Sequence, residues 1–225
     1  MTGARVAVVV PVYGNADTLA PLAARLGAAL AGREWRLRLV VDASPDDSAA
    51  VAGRLACADP RIAATVLERN VGQHAAIARG LADEPGADAW VCLDADLQDP
   101  PEAVPLLLDR LAAGDAEAVF AGRRGSYTSP LRRLTGRLHR RVAARLTGLP
   151  PDAGAFLAMG PAVRAAVLAG SAPSVVLAVG VAGRPVTSVP VARDVRGSGS
   201  SAWTGRARLV QSVRSLGWAL RHRRH

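Results

Sequence analysis

Short runs of β-branched and aliphatic residues, apolar on both faces, alternate in this chain with Ala- and Leu-rich stretches of helical period. That alternation leaves few folds open. Residues 6–11, 37–42, 62–68 and 89–94 read as strands, and 17–31, 46–58 and 73–82 as the helices between them. A strand that is apolar on both faces needs cover on both sides, and a helix between successive strands carries the chain back to start a parallel neighbour. The pattern predicts an α/β domain with a mostly parallel central sheet flanked by helices. A helix is expected over 101–113, opened by Pro100-Pro101-Glu102, and a strand over 118–122. Residues 129–146 read as a very basic helix or helix pair. Beyond them, 156–159 reads as a strand, 161–168 as a helix, and 175–181 with 185–191 as a hairpin or two strands. Residues 193–204 form a basic Gly/Ser-rich loop and 207–221 have helical spacing. The simplest division is one domain over 1–204 with a basic amphipathic tail over 205–225.

Composition agrees with a packed domain. Half of the 225 residues are hydrophobic and 21% are charged, which argues against global disorder. With aromatics at 4%, the core must be built from Ala, Val and Leu. Cys57 and Cys92, the only cysteines, lie in apolar surroundings and are expected as buried, reduced thiols rather than a disulfide. The run Val6-Ala7-Val8-Val9-Val10 is too short for a signal segment and reads as the first core strand. No stretch reaches the ~18 uninterrupted apolar residues of a spanning helix.

In open parallel sheets ligands bind beyond the carboxyl ends of the strands, and the polar residues of this sequence gather there. The first strand leads into Pro11-Val12-Tyr13-Gly14-Asn15 and the second into Asp42-Ala43-Ser44-Pro45-Asp46-Asp47-Ser48. The third leads into Glu68-Arg69-Asn70-Val71-Gly72-Gln73-His74, and the fourth ends in Asp94-Ala95-Asp96-Leu97-Gln98-Asp99-Pro100-Pro101-Glu102. Asp46 and Ser48 read as helix N-cap residues. A cap does not account for Asp94 and Asp96, two carboxylates two residues apart at the mouth of an apolar strand, which repel one another unless a cation lies between them. Their hard oxygens suit Mg²⁺ or Mn²⁺, metals that keep positions open for phosphate, and Gln98 offers a further neutral oxygen. The four histidines have no metal-binding spacing.

Together, the segments 8–15, 39–48, 69–81 and 94–102 resemble family 2 glycosyltransferases of the GT-A fold, densely over about 5–125 and patchily beyond. Asp94-Ala95-Asp96-Leu97-Gln98-Asp99-Pro100-Pro101-Glu102 resembles in particular the branch that loads sugars onto polyprenyl phosphates, which includes dolichol-phosphate mannosyltransferases and bacterial undecaprenyl-phosphate glycosyltransferases. The resemblance implies an inverting transfer from a UDP- or GDP-type sugar donor to a polyprenyl phosphate. Pro11, Tyr13 and Asn15 would flank the nucleotide pocket, Asp42 would accept a hydrogen bond from the base, and Arg69 and Gly72 would line the nucleotide side. Asp94 and Asp96, with Gln98, would hold the metal and the donor diphosphate. Arg123 would face phosphate and, with Asp96 and Asp152, belong to the catalytic set. Arg196, in the loop Arg196-Gly197-Ser198-Gly199-Ser200-Ser201-Ala202-Trp203, would approach phosphate as well.

Two positions depart from the family pattern. Val41 stands where relatives often have an acid, and Leu157 replaces the Arg of an Asp-x-Gly-x-Phe-Arg motif, here Asp152-Ala153-Gly154-Ala155-Phe156-Leu157. Asp152 is also the one candidate for a general base, which a hydroxyl acceptor requires and an anionic phosphate acceptor does not. A polysaccharide, glycolipid or small-molecule hydroxyl acceptor is therefore the competing reading. A non-catalytic binding protein is a third.

The formal net charge is +9 and every Lys or Arg is Arg. Eight Arg and no acid lie between Arg123 and Arg145, and eight more follow from Arg193 against Asp194 alone. Without a nucleic-acid motif or aromatics to stack bases, nucleic acid is not the expected partner. In the tail, Leu209, Val213, Leu216 and Trp218 alternate with Arg208, Arg214 and Arg221, a pattern suited to lying on anionic lipid. The expected location is cytoplasmic, peripheral on the inner face of the membrane; the sugar, the acceptor and the oligomeric state stay open.

Overall fold

A computed structural model describes residues 3–124, 148–170, 172–192 and 218. The chain runs β1 (Arg5–Val12), α1 (Ala16–Ala29), β2 (Glu34–Val41), α2 (Ser48–Ala58), β3 (Ile62–Val66), α3 (Gln73–Asp83) and β4 (Ala89–Cys92). A 3₁₀ turn at Pro101–Ala103 opens α4 (Val104–Ala112), followed by β5 (Ala118–Arg124), β6 (Leu157–Met159), α5 (Pro161–Ala169), α6 (Val175–Val181) and β7 (Val186–Ala192). The strands form one seven-stranded sheet in the order β3-β2-β1-β4-β6-β5-β7. All run parallel except β6, which is antiparallel to both β4 and β5. The expected α/β architecture, a mostly parallel central sheet flanked by helices, is therefore present.

Successive side chains of a strand point to opposite faces, and both faces here are dry. Val8, Val10, Leu37, Leu39, Val91 and Leu93 pack with Leu19, Leu22, Leu26 and Leu107 under α1, α2 and α4. Their neighbours Ala7, Val9, Val40, Trp90, Cys92, Phe120 and Leu157 pack with Ile77, Leu81, Val163 and Val175 under α3, α5 and α6. This is why the sequence shows continuous apolar runs rather than alternation. Leu157, which stands at the family's Arg position, is fully buried in that second core between Cys92 and Phe120.

Two expectations fail. Residues 175–181 are a helix, not a strand. Val-rich composition favours β structure only where a sheet edge is available; here Ser174 caps a helix instead, its hydroxyl accepting from the Leu177 N–H at 3.2 Å. Cys57 is exposed on α2, whereas Cys92 is buried as expected, and both thiols are free. The basic stretch 129–146 and the loop 193–204 lie outside the described residues, as does the tail apart from Trp218. Trp218 is helical and half-buried, packed against the second core. No helix among the described residues is long and apolar enough to cross a membrane.

The far end of α3 is held tightly. Arg164 donates two hydrogen bonds to the Leu81 carbonyl, at 2.9 and 2.7 Å, with its guanidinium 4.8 Å above the Trp90 ring. Buried Glu84 binds Arg38 at 2.6 Å. Within the helix, Gly80 lies directly on β1 and β2. A methyl group there would come within 2.8 Å of Val40 Cγ2 and closer still to Val9 Cγ1. Gly80→Ala is expected to lose about 1–3 kcal/mol of stability to overpacking, despite the higher helix propensity of Ala. Denaturant unfolding of the two proteins measures this.

Candidate active site

Strand β1 is the switch point of the sheet, with β2 on one side and β4 on the other. Its pairing with β2 runs the full length of both strands, to Val12 opposite Val41. Its pairing with β4 stops at Val9 opposite Cys92. Beyond that pair the strands part and a crevice opens at the carboxyl edge, where such folds bind ligands. Pro11 explains part of this. It lacks an N–H, and it is tolerated in a central strand because no β4 partner stands opposite it.

Three loops meet at the crevice, and each is shaped by its own polar side chains. After β1, Gly14 turns with φ 71° and donates its N–H to Ser44 Oγ at 2.7 Å. Asn15 donates its N–H to Ser48 Oγ at 3.2 Å, while its side chain turns back to accept from the Tyr13 N–H. Asp46 accepts from the N–H groups of Ala16, at 3.0 Å, and Ser48, at 3.1 Å, and from the Ser44 hydroxyl at 2.6 Å. Asp46 and Ser48 are therefore not N-caps of α2, whose cap position is Asp47. They tie the β1 and β2 loops together. Burial raises the Asp46 pKa, but the hydrogen bonds from Ser44, Ser48 and Ala16 outweigh it and bring it down to about 2.

After β2, Asp42 is 3% exposed. Its two carboxylate oxygens accept from the backbone N–H groups of Val71, at 2.7 Å, and Gly72, at 2.8 Å, and its carbonyl accepts from the Asn70 amide at 3.1 Å. Gly72 has φ 89°, a conformation that favours glycine. The side chain expected to meet a base is thus also the one that pins the β3–α3 loop. Arg69 is exposed on that loop, and Tyr13 is 44% exposed across the crevice.

After β4, Asp94 lies on the α3 side of the sheet, where Gln73 Nε2 donates to its Oδ1 at 2.6 Å. Ala95 is buried, and its carbonyl accepts from the Thr18 hydroxyl at 2.7 Å. Asp96 accepts the Gln98 backbone N–H at 3.1 Å across Leu97, which holds a left-handed φ of 59°. Arg25 closes the turn with two bonds to Glu102, at 2.8 and 2.7 Å. Burial first, and the Asp94 charge second, push the Cys92 thiol up to about 12, so it is an inert core thiol.

Because β6 enters antiparallel, the turn that precedes it lies at the same edge. Asp152 is brought against β5 there: its Oδ2 lies over Gly122, where any Cβ would collide with it, and it accepts from Ser188 Oγ of β7 at 3.3 Å. Its Oδ1 is buried with no hydrogen-bond partner among the described residues. Two strand spacings separate β4 from β5, roughly 10 Å, so Asp152 stands along the crevice from Asp94 rather than beside it. Arg123, the last residue but one of β5, stands opposite Val191; Arg196 lies outside the described residues.

The structure thus brings Pro11, Tyr13, Asn15, Asp42, Gly72, Asp94, Asp96, Gln98 and Asp152 to one edge. Gln73, Thr18 and Ser44 were not singled out from sequence. Only their positions just after strands or at a helix start could have marked them.

His74 lies in the first turn of α3. Its Nδ1 is buried without a partner among the described residues, and burial lowers its pKa to about 4. The neutral ring therefore stabilises the fold fully above the ordinary value near 6.5, and this contribution is lost as pH falls towards 4. The shift corresponds to about 3 kcal/mol at most. His74→Gln is expected to flatten the pH 4–6.5 limb of a stability profile measured by denaturant unfolding.

The family model described as Glycosyl transferase family 2 matches residues 7–157. An undecaprenyl-phosphate 4-deoxy-4-formamido-L-arabinose transferase of Klebsiella pneumoniae is 38% identical over 147 residues, covering 64% of this chain and 44% of the relative. The protein of the same name from Pseudomonas paraeruginosa is 41% identical over 150 residues, covering 64% and 43%. The chain therefore spans less than half the length of these relatives. Among solved structures, glucosyl-3-phosphoglycerate synthase of Mycobacterium tuberculosis, in complex with Mn²⁺, UDP and phosphoglyceric acid, superposes with TM-score 0.74 at 17% identity over 98% of this chain and 78% of that one. A Pyrobaculum calidifontis mannosyltransferase, in complex with GDP-Man and Mn²⁺, superposes with TM-score 0.70 at 19% identity over 97% and 65%. Fold, crevice and family match agree: the chain belongs to glycosyl transferase family 2.

Proposed function

We propose that this chain transfers a sugar from a UDP- or GDP-type donor to a polyprenyl phosphate, with inversion at the sugar carbon. The observation that carries the reading is the pair Asp94 and Asp96 at the mouth of β4, facing a crevice whose other wall is the Asp42 loop. Each carboxylate is oriented by a neutral donor, the Gln73 amide or the Gln98 N–H. A carboxylate has lone pairs for more than one partner, so such a bond is compatible with cation binding. The pair fits Mg²⁺ or Mn²⁺, with Gln98 as a third oxygen donor. When bound, the metal would neutralise charge on the departing nucleotide diphosphate.

The rest falls to the protein. Tyr13, Asn15, Arg69 and the Asp42–Gly72 loop hold the nucleotide, Arg123 and Arg196 face phosphate, and the sugar lies toward β5. The acceptor phosphate is already anionic and needs no base. The Arg-rich segments hold the protein against anionic lipid on the cytoplasmic face, beside its lipid substrate. The relatives' names support the acceptor class, and the solved neighbours' ligands support donor and metal.

The test is transfer of labelled sugar from UDP- and GDP-sugars to undecaprenyl phosphate with Mg²⁺ or Mn²⁺. Asp94→Asn and Asp96→Asn are each expected to lose at least about a hundredfold in turnover with an unchanged circular dichroism spectrum. Undiminished turnover in both overturns the reading.

One observation favours a hydroxyl acceptor instead: the Asp152 carboxylate, whose buried Oδ1 has no partner among the described residues and is suited to taking a proton. Asp152→Asn separates the two readings. Transfer to a phosphate acceptor survives the substitution, whereas transfer to a hydroxyl falls by about 10²–10⁴.

A further inference from the structure

We propose that Gln73 is a positioning residue for the metal site, its side-chain amide fixing the rotation of the Asp94 carboxylate. The proposal rests on the reading of Asp94 and Asp96 as metal ligands. Gln73 Nε2 lies 2.6 Å from Asp94 Oδ1. At that distance only the NH₂ end of the amide can face an anionic oxygen, so the orientation of the amide is set by its partner.

The backbone that presents Gln73 is held from both directions. Gln73 is the first residue of α3, and the two residues before it, Val71 and Gly72, donate their N–H groups to the two oxygens of Asp42. On the other side the Gly72 carbonyl accepts the first helical bond from Ala76 at 3.0 Å. Farther along, Gly80 rests on Val9 and Val40 and Arg164 grips the Leu81 carbonyl. Three consecutive residues therefore grip two carboxylates from different strands, Asp42 through the backbone and Asp94 through a side chain.

The chemistry explains why a neutral donor suits this position. A carboxylate turns easily about its last torsion, and a hydrogen bond from a fixed group removes that freedom before a cation arrives. A Gln amide adds an orienting bond and brings no charge of its own. Donors of this kind behind a metal ligand typically change metal affinity by about 10- to 100-fold. The clamp also joins the two ends of the donor site, since the loop pinned by Asp42 on the nucleotide side is the loop that presents Gln73.

The test is Mn²⁺ binding to the full chain, followed by the electron paramagnetic resonance signal of free Mn²⁺. Gln73→Met keeps the length of the side chain and removes only the amide. Gln73→Asn keeps an amide one methylene too short to reach. Both are expected to bind Mn²⁺ about 10- to 100-fold more weakly, with the unfolding midpoint in chelator unchanged. Wild-type Mn²⁺ affinity in either folded variant overturns the proposal. So does a loss of affinity that comes with an equally lowered midpoint in chelator, which would make Gln73 merely structural. Asp94→Asn keeps the two questions apart. If wild-type protein binds no Mn²⁺, or Asp94→Asn binds it undiminished, the metal assignment itself fails.

Discussion

The early end of the β1–β4 ladder is the constraint on which the site depends. The two strands pair only as far as Val9 and Cys92, with one last long bond from the Leu93 N–H to the Val9 carbonyl at 3.4 Å, while β1 and β2 stay paired for three more residues. The backbone of Asp94-Ala95 is thereby freed from the sheet and turns toward α1, where the Ala95 carbonyl accepts from the Thr18 hydroxyl. Alternation then sends Leu93 and Ala95 into the core and leaves Asp94 toward α3. Had the ladder continued, the ladder bonds would have held this segment flat and left no crevice.

Helix α3 converts this opening into a site of defined shape. Its C-terminal end is held by Arg164, by Trp90, which donates from its indole to the Glu84 carbonyl at 2.7 Å, and by the ion pair of Arg38 with Glu84. Breaking one partner of a buried pair costs far more than the pair contributes, so the anchor is hard to loosen by halves. Its N-terminal end faces the crevice and carries the loop that Asp42 pins. A carboxylate accepting two backbone N–H bonds at the start of a helix is well placed electrostatically, because the helix dipole favours negative charge there. The same residue type thus serves different ends in neighbouring loops: Asp42 and Asp46 organise backbone, while Asp94 and Asp96 stand at the opening.

Along the sheet edge the loops follow one another in the order that the proposed donor site requires. The Tyr13 and Asp42 loops lie on the β1–β2 side, Asp94 and Asp96 follow β4, and Asp152 stands beside β5. The single antiparallel strand makes this possible. Because β6 runs against its neighbours, the residues before it, not after it, arrive at the carboxyl edge, and Gly122 leaves the space that Asp152 occupies.

Much of this was legible in the residues themselves. Strands apolar on both faces state their own burial, so the parallel sheet and its helices followed from hydrophobic period; loops after strands marked the edge, the paired charges of Asp94 and Asp96 stood out within it, and the family resemblance singled out Tyr13, Asp42 and Gly72. Local signals misled where propensity and context disagreed, as in the Val-rich 175–181, which form a helix because a Ser cap and the second core outweigh β preference. Three residues of β6 are too few to announce a strand's direction, so its antiparallel course could only appear once β4 and β5 stood on either side of it. Side-chain partners were least accessible. Periodicity reports which face a residue occupies, but the bonds from Gln73 to Asp94, Val71 to Asp42 and Ser188 to Asp152 join positions 21, 29 and 36 residues apart. The sequence alone determined the fold class, the core and the edge at which chemistry would gather. Which carboxylates would orient backbone and which would face the crevice was decided by tertiary structure, because hydrogen-bond partners are chosen by distance in space and not by spacing along the chain.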